Sequence, residues 1–183
     1  MKKLRLLLSL IGLFFGLSCF AQNGGTVINK YGSVLSILPC NTFTVDSGSN
    51  FAVGDTVLII QMKGATIDTS NSASFGNILN YNSCGNYEYN TIAAINLNDI
   101  TLKYVLSNTY EIPGGKVQLV KVPSYQNYTV NQPHTCMQWN GTKGGIFAIY
   151  VTNTLTLNDS ISVSNAGFAG GKSDQNPVLR SSA

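Results

Sequence analysis

Residues 53–65 read Val53-Gly-Asp-Thr-Val-Leu-Ile-Ile-Gln-Met-Lys-Gly-Ala65. A Gly-Asp pair suited to a turn delivers the chain into four consecutive apolar residues, Val57, Leu58, Ile59 and Ile60, three of them β-branched. A run this short, bounded by turn residues, predicts a strand buried on both faces. The same grammar recurs on either side. Short β-branched and aromatic runs between Gly, Asn, Asp and Pro clusters predict strands at 34–38, 42–45, 56–62, 87–95, 100–106, 116–122, 146–151, 154–157 and 160–163. Asn98-Asp99 predicts a hairpin turn, because both residues tolerate left-handed backbone angles. No apolar period of 3.6 residues is sustained over a dozen positions, so the expected fold is all-β, a β-sandwich or a barrel-like N-terminal module.

Composition supports this reading. Of 183 residues, 11 are Lys or Arg and 8 are Asp or Glu, against 44% hydrophobic and a single histidine. From Gln22 onward the chain carries 20 Asn, 16 Ser and 15 Thr, types that favour turns and exposed strand faces over helix interiors. Residues 66–85 are rich in Ser, Asn and Gly and form the longest expected loop.

The first 21 residues, MKKLRLLLSLIGLFFGLSCFA, place a basic stretch before an apolar run from Leu6 to Leu17 and small residues at Cys19 and Ala21. This order predicts a secretory signal peptide cleaved near Ala21, since a membrane-spanning helix needs about 20 apolar residues. Lipidation at Cys19 is disfavoured by Gly16, which stands where a lipobox prefers Leu. The expected location is therefore secreted or cell-surface, with no transmembrane segment after cleavage. Losing Lys2, Lys3 and Arg5 leaves eight basic and eight acidic residues. A neutral surface argues against nucleic acid as a partner, because phosphate binding needs clustered positive charge.

Beyond Thr154 the pattern changes. Leu155, Leu157, Ile161 and Val163 alternate with Thr and Ser, then Ala166-Gly-Phe-Ala-Gly-Gly-Lys follows. Strict alternation leading into a glycine-rich stretch predicts the start of a β-solenoid. The expected organisation is a signal peptide at 1–21, an all-β module at 22–153, the solenoid start or glycine-rich region at 154–172, and a polar tail at 173–183 that marks a truncation.

Two stretches carry a family resemblance: Val53–Ala65, and Trp139-Asn-Gly-Thr-Lys-Gly-Gly-Ile-Phe-Ala-Ile-Tyr-Val-Thr-Asn-Thr-Leu-Thr-Leu followed by Gly167-Phe-Ala-Gly-Gly171. They resemble the N-terminal region of large secreted bacterial surface proteins of the adhesin-like kind. Such proteins continue into glycine-rich β-solenoid and repeat modules, and many end in a gliding-motility-associated or type IX secretion sorting domain. The resemblance implies export, display at the cell surface and a capping role before a longer β structure.

Chemical motifs are sparse. Ala166–Ser173 approaches a phosphate-binding loop, but Ala166 occupies the position that requires Gly. Asp68 and Glu88 flank the long loop and are the one carboxylate pair worth testing for glycan cleavage. His134 is the sole base available to a Ser or Cys nucleophile, and His134 with Cys136 lacks the second ligand pair of a metal site. We therefore expect no catalytic residues, no cofactor and no metal. Cys40, Cys84 and Cys136 are disulfide candidates in an oxidising compartment, with all three pairings open. Tyr125, Tyr128 and Trp139 are candidates for stacking on sugar rings. The expected function is a non-catalytic extracellular structural or adhesion module whose partners are glycans or a neighbouring cell surface. The alternatives are a carbohydrate-binding domain or a fragment of a β-helix polysaccharide-degrading enzyme.

Overall fold

The computed structural model describes residues 25–167. The signal peptide expected at 1–21, most of the glycine-rich stretch and the polar tail at 173–183 lie outside the described residues. The described chain is almost entirely strand and turn, apart from one 3-10 turn at Gly48–Asn50. No helix among these residues is long and apolar enough to cross a membrane.

Six strands close into a barrel: β2 (Tyr31–Leu38), β3 (Thr42–Val45), β8 (Asp99–Leu102), β7 (Tyr87–Asn96), β4 (Thr56–Lys63) and β9 (Lys116–Lys121), in that order around the ring. Every pairing in the ring is antiparallel. The two long strands β2 and β7 make the corners by changing partner halfway. Tyr31–Ser33 pair with β9, and beyond Val34 the strand pairs with β3. Likewise Tyr87–Thr91 pair with β4, and beyond Ile92 the strand pairs with β8. Bulges between Val34 and Ser36 and between Ile92 and Ala94 supply the bend that closure requires.

The barrel interior is filled by alternating side chains, chiefly Val34, Phe43, Val45, Val57, Ile59, Ile92, Ile100, Val117 and Leu119. Phe51 packs against this cluster from the turn after the 3-10 segment. Its ring needs Gly32, where an added Cβ would lie 2.9 Å from the Phe51 Cε2 atom. Buried Gln61 is fully satisfied: its amide donates to the carbonyls of Lys63 and Asn82 and accepts from the Glu111 N–H.

The run at 57–60 is buried on both sides, as its composition predicts, but by two different partners. Val57 and Ile59 face the barrel core. Leu58, on the outer face, joins a second cluster with Tyr31, Val120, Val122, Cys136 and Ala166, against which Ile60, Met137, Ile146, Phe147 and Ala148 pack. Residues 136–148 thus form a strap over β4 and β9. The strap lacks ladder pairing of its own, so side-chain amides stand in for a neighbouring strand. Gln118 donates to the Gly144 carbonyl at 3.0 Å and accepts from its N–H at 2.8 Å. Asn29 does the same with Ala148, at 2.6 and 3.1 Å, and also donates to the Lys121 carbonyl. Tyr31 Oη donates to the Ile146 carbonyl at 2.6 Å, and burial pushes its pKa up to about 12.

Five expectations need correction. Ile100–Leu106 forms strand only to Leu102, where Tyr104 turns aside to exchange hydrogen bonds with the Asn90 amide. Residues 146–149 are strap rather than strand, and the strands expected at 146–151 and 154–157 become one continuous strand, β12 (Tyr150–Leu157). The segment 160–163 contributes only a bridge at Ile161. The β7–β8 turn residues are Leu97 and Asn98, with Leu97 at φ +55° and Asp99 already in the strand, where it accepts from Thr44 Oγ1. The loop at 66–85 holds a small hairpin, β5 (Thr66–Ile67) with β6 (Ile78–Asn80).

Candidate functional site

Outside the barrel and the β5–β6 hairpin, the strand pairs run parallel. Strand β10 (Ser124–Val130), not expected from sequence, pairs with β12, and β1 (Thr26–Val27) pairs with β11 (His134–Thr135). From Asn127↔Thr154 to Val130↔Leu157 each partner lies 27 residues further along the chain. The same interval joins His134 to Ile161, the Gln138 amide to the Asn165 carbonyl, and the Trp139 N–H to the Ala166 carbonyl. Asparagines align between tiers as well: Asn153 donates to Asn127 and Asn158 donates to Asn131, both at 2.8 Å. Because Thr26 pairs with His134 and His134 bridges Ile161, three tiers stack at this point.

Side chains stack with the backbone. Fully buried Val130 sits opposite Leu157, and Tyr128 sits opposite Leu155. On the β12 side Leu155 is 43% exposed and Leu157 59%, with Val163 and Tyr150 also open to solvent. The ladder therefore ends, among the described residues, on an apolar step.

Two of the three aromatic candidates come together here. The rings of Tyr125 and Tyr128 stack with centroids 4.4 Å apart and 29° between planes. The bulge between Tyr125 and Asn127 brings residues three apart in sequence onto one side of the strand. Tyr128 Oη lies 2.6 Å from His134 Nε2, and His134 Nδ1 lies 2.9 Å from the Gln132 carbonyl. A carbonyl only accepts, so Nδ1 carries the proton and Nε2 accepts from the tyrosine. Burial raises the Tyr128 pKa, and the histidine is 3% exposed. Trp139 is half-buried in the strap, where its N–H meets the Ala166 carbonyl at 2.8 Å.

The remaining candidates are dispersed. Cys40, Cys84 and Cys136 are all free: Cys40 is exposed in the β2–β3 turn at φ +60°, Cys84 lies 3.6 Å from the Met62 carbonyl, and Cys136 is buried at the start of the strap. Burial raises the Cys136 pKa, which disfavours the thiolate form needed for metal binding or attack. Glu88 is occupied by the N–H groups of Ser107 and Asn108 and by Tyr110 Oη, and burial followed by this carboxylate pushes the Tyr110 pKa upward. Asp68 accepts from the Ser70 N–H in the exposed hairpin, and hydrogen bonding from Ser70 lowers its pKa. Asp55 and Asp159 accept from the N–H groups of Ala52 and Ser160, the capping role of a carboxylate at a turn.

Comparisons with protein-family models, with curated proteins and with solved structures give no match to this chain. Its function is therefore argued from the ladder and the side chains around it.

Proposed function

We propose that this chain is a non-catalytic structural module of an exported cell-surface protein, in which the barrel caps the first coils of a parallel β-solenoid. The observation that carries this reading is the 27-residue interval. It recurs at β10–β12 from Asn127 onward, past the bulge that sets Ser124 and Tyr125 opposite residues 26 further on, and again at His134–Ile161 and at Trp139–Ala166. A constant interval with aligned asparagines and stacked apolar side chains is the geometry of repeating coils, each burying its face on the next. Strand β1 covers one end of the stack, while the β12 end presents Leu155 and Leu157 to solvent. Proteins normally cover such an edge, and a following coil is the occupant that matches its direction and spacing.

Export rests on the basic, apolar and small-residue order of residues 1–21. Display at the cell surface rests on the resemblance of Val53–Ala65 and Trp139–Gly171 to adhesin-like proteins of the gliding-motility and type IX secretion kind.

Tandem duplication separates a coil from an ordinary strand pair. A second copy of Ser124–Tyr150, 27 residues long, inserted after Tyr150 adds one whole coil and keeps every register. The expected result is a cooperatively folded protein with a larger denaturant m-value, since more surface is buried. Duplicating only Ser124–Ile146, 23 residues, rotates the chain out of register and should unfold the ladder. Equal tolerance of both insertions, or collapse of both, would contradict the proposal.

A further inference from the structure

Where the barrel meets the ladder, an open cleft of about 340 Å³ is lined in part by Asp55, Thr56, Lys121, Ser124 and Tyr125. We propose that this cleft binds one neutral sugar unit of a polysaccharide, with Tyr125 as the stacking platform and the Asp55–Lys121 pair as the hydroxyl clamp. This reading is independent of the capping role, since it uses the side of the stack and not its end.

Three features carry it. Tyr125 is 37% exposed, yet its ring is held in place, because it stacks on Tyr128, Tyr128 bonds to His134, and His134 bonds to the Gln132 carbonyl. An aromatic face fixed before binding loses little entropy when a sugar's C–H face lies against it. Next to it, Lys121 Nζ lies 2.8 Å from Asp55 Oδ1, and Asp55 Oδ2 accepts from the Ala52 N–H at 2.8 Å. The carboxylate is thereby aimed, while the ammonium keeps two further N–H donors. Adjacent sugar hydroxyls fit such a pair: one donates to the carboxylate and its neighbour accepts from the ammonium. Because the two charges cancel, the cleft attracts neither anions nor cations strongly, and the matching ligand is neutral. The volume falls at the small end of ordinary ligand sites, roughly 300–1,000 Å³.

The test titrates the full chain with cellohexaose, xylohexaose, mannohexaose and laminarihexaose, with heparin and polygalacturonate as anionic controls, and follows binding by calorimetry and NMR shifts. At least one neutral oligosaccharide should bind. Tyr125→Ala and Asp55→Asn should each raise its Kd by about tenfold or more, equivalent to about 1.4 kcal/mol. Tyr104→Ala, which alters a tyrosine outside the cleft, should leave the Kd unchanged, and Tyr125→Phe, which keeps the ring, should raise it far less than Tyr125→Ala does. The thermal midpoint of Tyr125→Ala reports whether the fold survives, and Tyr125→Phe carries the comparison if Asp55→Asn destabilises the turn. The proposal is overturned if no neutral oligosaccharide binds, if binding ignores Tyr125→Ala, or if the anionic polymers bind more tightly than every neutral one.

Discussion

Phe43→Ala is expected to lower stability by about 3–5 kcal/mol, enough to move the thermal midpoint down by about 10 °C. Phe43 is fully buried and is the largest of the side chains that have no exposed surface. It lies in the four-residue strand β3, whose neighbours β2 and β8 bring Val34 and Ile100 into the same interior cluster as its own Val45. A closed barrel has little freedom to collapse around a missing ring, because each strand is held on both sides. Chemical denaturation should therefore show a large loss in unfolding free energy. A loss under about 1 kcal/mol would mean that the interior is not packed as described.

The second large effect is expected at Gln118, for a different reason. Gln118→Met keeps the volume and removes the amide, leaving both the N–H and the carbonyl of Gly144 buried without their partner. Each such group costs about 1–3 kcal/mol, so the expected loss is about 2–6 kcal/mol. Repacking cannot relieve it. Gly144 has φ +103°, and a Cβ there would lie 2.6 Å from the Gln138 carbonyl oxygen, so the strap has one backbone path at this point. Selective loss of amide protection in residues 136–148, with the barrel strands still protected, is the hydrogen-exchange result expected for this variant. Uniform loss across the barrel would show that the strap and the barrel unfold as one unit.

These two positions illustrate what the sequence reveals and what it conceals. Phe43 is legible: Thr42-Phe-Thr-Val45 alternates, and alternation in a half-buried strand names its own inward residues. The barrel strands β4, β7 and β9 are readable as short β-branched and aromatic runs between turn residues, and in β4 Val57–Ile60 announces burial on two sides by lacking alternation. Gln118 gives a fainter signal, a polar residue inside Lys-Val-Gln-Leu-Val-Lys, and nothing nearby in sequence indicates that its partner lies 26 residues away. Strand β10 was missed because Ser124-Tyr-Gln-Asn-Tyr-Thr-Val130 has apolar character on neither face alone, and its pairing is fixed by a distant parallel neighbour. The 27-residue interval was hidden because successive tiers share polarity and not identity. Tyr128 stacks with Leu155 and Val130 with Leu157, and the residues that do repeat, Thr129 with Thr156 and Asn131 with Asn158, are types so common in this chain that their recurrence gives no signal. For the candidate site, Tyr125 and Tyr128 could be named from sequence as aromatics near a loop. Their joining with Asp55 and Lys121 across the barrel–ladder junction could not.

The register of the ladder is the claim on which the capping role stands, and paired cysteines test it directly. In a Cys40→Ser, Cys84→Ser background, Thr129→Cys with Thr156→Cys places two exposed residues directly opposite each other. Thr129→Cys with Thr154→Cys places them two positions out of register, at about 8 Å from the strand rise and spacing, beyond the roughly 7 Å that a disulfide can span. Mild oxidation should cross-link the first pair almost completely within the monomer and leave the second largely reduced. Equal cross-linking of both pairs, or preference for the second, would contradict the 27-residue stack.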